Sequence, residues 1–145
     1  MDESATSALM AEMALDEGVR LTDVKAQPSY YRWANMPPET FAGHSFCIGD
    51  EIVLGTYEDQ ELRLASFLHE LGHILTPDCA DEYEEEQRAW RWAFRRARKL
   101  GLKFRRSTFA WCRAQLETYR RAGEKKAGRP RGATRRSLSP ASRPS

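Results

Sequence analysis

The stretch EDQELRLASFLHELGHIL, Glu58 to Leu75, decides how the rest of this chain is read. Placed on a helix, His69, His73, Leu62, Ala65 and Gly72 share one face, while Leu64, Phe67, Leu68, Leu71, Ile74 and Leu75 cover much of the remainder. A helix apolar nearly all round belongs inside a fold. Two histidines on it need partners, because an unsatisfied buried polar group costs free energy. Residues four apart lie one above the other, so the two imidazoles can grip one Zn²⁺ at about 2.0–2.1 Å each. Glu70 follows the first histidine and projects beside such an ion, placed to take a proton from its water. Pro77 stops the helix. The alternative is a pair of hydrogen-bonded core histidines.

A catalytic zinc site usually takes three protein ligands. A third histidine six residues past His73 is absent: that position is Cys79. The next helical pattern, Asp81 to Leu100, begins with Asp81, Glu82, Glu84, Glu85 and Glu86. Tyr83, Ala89, Trp90, Ala93, Phe94, Ala97 and Leu100 form one apolar arc of that helix, and Glu86 falls in its middle. Arg88, Arg91, Arg95, Arg98 and Lys99 lie opposite. Acids that complement the helix dipole account for Asp81, Glu82 and Glu84, but not for a carboxylate in a core-facing stripe. Height agrees. If the two helices turn near Asp78, Glu86 comes level with His69 and His73 at about 1.5 Å per residue. Glu86 is the favoured third ligand, with Glu82 and Glu85 in reserve and His44 or Cys79 after them.

Outward from this helical pair the pattern is thinner. Residues 4–17 read as a short helix ending near Gly18. Residues 19–34, with Val19, Leu21, Val24 and then Tyr30-Tyr31-Arg32-Trp33, suggest one or two strands before Met36-Pro37-Pro38 breaks regular structure. His44–Ile48 and Glu51–Gly55 flank Gly49-Asp50 as a hairpin. Ser107 to Arg121 reads as a last amphipathic helix, with Ser107 as its N-cap and Phe109, Cys112, Leu116 and Tyr119 on its core face. The expected fold is α+β: a small N-terminal antiparallel sheet, an active-site helix, a ligand helix and a C-terminal helix.

His-Glu-Leu-Gly-His followed by Glu86-x-x-Ala89-x-x-Trp92-Ala93 resembles the ImmA/IrrE-like metallopeptidases and their phage-encoded relatives, over roughly Ser45 to Gly101. The resemblance implies a minimal gluzincin: a zinc-dependent peptidase with His69, His73 and Glu86 as ligands and Glu70 as general base, acting on a protein or peptide, often a regulatory protein. Two departures stand out. Only twelve residues separate His73 from Glu86, where the family often has a longer link, and Arg88 stands where an acid is common.

Composition fits one domain, residues 1–122, with a basic tail, residues 123–145, that has almost nothing to bury and reads as disordered. The tail carries seven Lys or Arg and one Glu; the rest of the chain is therefore mildly acidic, at −4 against an overall +2. Cys47, Cys79 and Cys112 form no Cys-x-x-Cys pair and read as reduced thiols. No run approaches the roughly 18 apolar residues of a membrane helix, and the acidic N-terminus lacks a signal-peptide layout, so a cytoplasmic location is expected. Tyr57 and Tyr83 are candidates to assist an oxyanion, though packing suits both, and His44 to stabilise an oxyanion or line the cleft, though it also reads as a surface or strand histidine. From Arg88 to Arg106 there are nine Lys or Arg and no acid, beside Trp92 on the charged side of its helix. A non-catalytic alternative is thus a zincin-like scaffold that binds nucleic acid or a partner protein through this helix and the tail.

Overall fold

Asp2 caps α1 (Glu3–Asp16) by accepting the Ala5 N–H. Gly18, at a φ of 67°, turns the chain into β1 (Arg20–Asp23). A computed structural model describes residues 1–27 and 38–127; the expected strand around Tyr30-Tyr31-Arg32-Trp33 and the break at Met36-Pro37 lie outside them. Past a 3₁₀ turn at Pro38–Phe41, β2 (Phe46–Ile48) and β3 (Glu51–Leu54) form the hairpin expected around Gly49-Asp50. Then come α2 (Gln60–Leu75), α3 (Glu82–Lys99) and α4 (Arg106–Ala127). The architecture is α+β: a small three-stranded mixed sheet and four helices.

The sheet is not the antiparallel one expected. Its order is β1-β3-β2, and β1 runs parallel to β3, from Arg20 opposite Glu51 to Asp23 opposite Leu54. Parallel neighbours need a long connection, and 27 residues separate the end of β1 from the start of β3. Central β3 is buried on both faces. Ile52 and Leu54 join Leu64, Phe67, Leu68 and Leu71 in the main core, while Val53 packs with Val24, Phe41 and Phe46 behind the sheet. Alternation of side chains along the strand produces this division.

Helix α2 is the spine. Asp59 caps it by accepting from the Glu61 and Leu62 N–H groups at 2.8 and 3.2 Å, and every residue from Arg63 to Gly72 is buried. Burial stops there: Ile74 is half-buried and Leu75 is 37% exposed, because the last turn opens onto a cleft. Buried Arg63 donates to Asp23 at 2.8 Å and to Gln60 at 3.1 Å, tying α2 to the end of β1.

Helix α4 departs from expectation at both ends. Ser107 lies inside its first turn. Arg105 precedes the helix: its carbonyl accepts the Phe109 N–H, and its own N–H donates to Glu61. The helix also runs through Gly123 to Ala127, beyond the expected boundary at residue 122. Arg120 bridges Glu117 and Glu124 along this extension, and Lys126 reaches Glu82 at 2.7 Å; both contacts reward helix there. Residues 128–145, the remainder of the expected tail, lie outside those described. No helix among the described residues is long and apolar enough to cross a membrane.

Candidate metal centre

Helices α2 and α3 lie against each other at Gly72 and Ala89. This close approach carries Glu86, one turn before Ala89, up to the histidine face of α2. His69 Nε2 lies 2.9 Å and His73 Nε2 2.7 Å from the same oxygen, Glu86 Oε2, and the two nitrogens are 3.0 Å apart. His69 and Glu86 are buried, and His73 is nearly so. Three electron-rich atoms from three side chains therefore converge on one small volume, and such a cluster needs positive charge among its members. Two imidazole nitrogens and a carboxylate oxygen are a donor set that suits a borderline divalent cation such as zinc. This buried group could hold a metal ion.

Protonation follows the same logic. Burial opposes charge on His73, but the Glu86 carboxylate bonded to it outweighs burial and lifts its pKa to about 9. Burial dominates at His69, whose pKa falls. Burial also works against ionised Glu86, yet the two histidines hold its carboxyl well below the usual range. The shifts of His73 and Glu86 thus favour opposite charges on the two groups, the same electrostatic demand that a bound cation would meet.

Aromatic packing sets the ring of His69. Its centroid is 4.0 Å from that of Trp90 and 4.6 Å from that of His73, nearly perpendicular to the latter. Trp90 in turn meets Phe94 and Trp111. The ligand face is thus embedded in the α2–α3–α4 core.

Two of the three, His73 and Glu86, line a cleft of about 710 Å³ together with Glu70, Cys47, Ile74, Cys79 and Tyr119, among others; His69 is not among its lining residues. Glu70, 3% exposed, contributes to this wall without joining the ligand trio. Asp78, Glu82 and Glu85 also line it, so the cleft is acid-rich. Neither reserve residue belongs to the trio: Glu82 pairs with Lys126, and Glu85 interacts with Asp78. Cys79 stands in the wall but outside the trio, and His44 lies away from the cleft among the described residues.

Tyr57 is held inward. Its hydroxyl meets Ser45 Oγ at 3.0 Å, that Oγ accepts the Gly55 N–H, and burial pushes the phenol up to about 12. Tyr83 is half-buried and stands apart from the cleft wall. The sequence reading missed Tyr119, which its period assigned to the core. It is buried, and it also faces the cleft from α4. Trp92, expected on the charged side of its helix, lies there under the Arg96 guanidinium, 4.9 Å from its ring, and is also partly buried against the core.

No protein-family model, curated protein sequence or solved structure matches the chain.

Proposed function

We propose that this protein is a zinc-dependent peptidase of the gluzincin kind, similar to the ImmA/IrrE-like enzymes. The observation that carries the reading is the convergence of His69 Nε2, His73 Nε2 and Glu86 Oε2 within 3.0 Å, beside a cleft that His73, Glu86 and Glu70 line. His69, His73 and Glu86 would hold the metal. When bound, zinc supplies Lewis acidity toward a peptide carbonyl and lowers the pKa of a coordinated water to about 7.

The chain's own residues do the rest. A Glu70 carboxylate oxygen accepts a proton from the attacking water and returns it to the departing amine nitrogen. A purely structural metal site has no need of a carboxylate there. The peptide lies in the cleft as an added strand along β2, the edge strand whose Cys47 lines the cleft wall. The substrate is a protein or peptide presented in extended form.

The test compares wild type with Glu70→Gln, both loaded with zinc, by mapping new peptide termini in a cell lysate. Termini produced by wild type and missing with the variant support the reading. Identical termini profiles from the two proteins overturn it.

A further inference from the structure

The outward face of α3 carries a stripe of guanidinium groups that the metal centre does not use. Three of the nine basic residues from Arg88 to Arg106 are neutralised inside the fold. Arg88 reaches Glu84 at 3.7 Å, Arg96 reaches Glu17 at 3.2 Å, and Arg105 pairs with Glu61 at 3.0 Å. The other six, Arg91, Arg95, Arg98, Lys99, Lys103 and Arg106, are exposed and make no ion pair among the described residues.

Arg91, Arg95 and Arg98 stand at i, i+4 and i+7, in one line about 10 Å long. Like charges so spaced repel one another, so nothing within the fold rewards the arrangement. Complementing the helix dipole accounts for Arg98 and Lys99 in the last turn, but not for Arg91 and Arg95 before it.

The chemistry of the stripe selects its occupant. Ala89, Trp90, Ala93 and Ala97 of α3 are buried, and Trp92 and Phe94 are half-buried against the core, so the helix keeps no free apolar face to insert into a bilayer. All three stripe residues are Arg, whose planar fork bonds phosphate through two N–H groups at once. Duplex DNA presents one phosphate charge per about 1.7 Å of axis, so a stripe of this length faces about six. Residues 128–145 add five Arg and no acid to the same chain.

We infer that the Arg91-Arg95-Arg98 stripe of α3 binds the phosphate backbone of double-stranded DNA without reading its bases. This inference does not depend on the peptidase reading. The test measures fluorescence anisotropy of a labelled DNA duplex with the full chain across a salt series. Wild type should bind with a log–log salt slope of about −0.9 per phosphate contacted. The triple variant Arg91→Gln, Arg95→Gln, Arg98→Gln should weaken binding and reduce the slope by about three, with an unchanged melting curve because all three side chains are exposed. Equal affinity and slope in wild type and variant, or no salt-dependent binding by wild type, overturns the inference. So does equally tight binding of phosphatidylserine vesicles through the same arginines, which would mark a generic anionic surface.

Discussion

Gly72 of α2 is in backbone contact with Ala89 of α3: a Cβ added to Gly72 would lie 2.7 Å from the Ala89 carbonyl oxygen and 3.3 Å from its Cα. Both near atoms belong to a helix backbone, which cannot yield as a flexible side chain would. Gly72→Ala must therefore push the helices apart. Overpacking of this kind costs about 1–3 kcal/mol, against a gain of up to about 1 kcal/mol in helix propensity. The expected result is a lower melting temperature together with weaker zinc binding, because α3 carries Glu86 away with it. A variant that melts and binds zinc like its parent would show slack at this contact.

The ligand trio makes a prediction about metal content. Wild type should hold about one zinc per chain, and His69→Ala or His73→Ala should abolish it. Glu86→Gln should weaken binding as well, while Glu82→Gln and Glu85→Gln should bind normally, since those residues point to Lys126 and Asp78. Competition with a chelating dye measures each affinity. Loss of zinc in either control, with Glu86→Gln unaffected, would move the third ligand to another residue of the helix.

Glu70 should fail in a different way from Glu86. Glu70→Gln keeps the shape of the cleft wall and removes a proton acceptor. Zinc should stay bound while hydrolysis falls by roughly 10²–10⁴. Single-turnover rates at matched zinc occupancy read this directly, and a loss of metal alongside activity would make Glu70 a ligand.

Asp23→Ala should cost far more than a surface substitution. It would leave Arg63, 4% exposed, as a buried cation whose one remaining side-chain hydrogen bond among the described residues is to Gln60. Removing one partner of a buried pair costs about 3–5 kcal/mol, an upper bound here because Asp23 is partly exposed and solvent screens the pair. Denaturant unfolding measures the loss; a change within about 0.5 kcal/mol, the range of ordinary surface positions, would show that the pair contributes nothing.

The three thiols should divide by burial. Cys112 is 2% exposed, and burial pushes its thiol from 9.0 up to about 12. A raised pKa means that its contribution to stability is complete below 9.0 and is lost as pH rises through about 12. Near pH 8, a disulfide reagent should therefore titrate half-buried Cys47 and Cys79 in the native protein and Cys112 only in denaturant. Prompt reaction of all three thiols in the native state contradicts the assignment.

What the sequence determined by itself was local. The end of α2 follows from Pro77 as a stop, whereas its start at Gln60, capped by Asp59, lies two residues past the Glu58 that the pattern suggested. The hairpin follows from Gly49-Asp50, and the apolar arc of α3 singled out Glu86 from four neighbouring acids. Each rests on contacts within about one helical turn or one tight turn, which residue order encodes directly. The rest was decided by which distant segments pack together. Nothing near β1 announces that it pairs parallel with β3, because that pairing joins strands 27 residues apart in the chain, Arg20–Asp23 and Glu51–Leu54. Tyr119 shares its period with core residues, and only the placement of α4 beside the cleft gives it a second environment. The extension of α4 through Gly123 is held in part by Lys126 reaching Glu82, 44 positions away. The convergence of His69, His73 and Glu86 lies between these cases: period chose the residues, but the contact of Gly72 with Ala89 closed the distance to 2.7 Å. Side-chain periodicity is a property of one helix, whereas the separation between two helices is set by the smallest residue at their crossing.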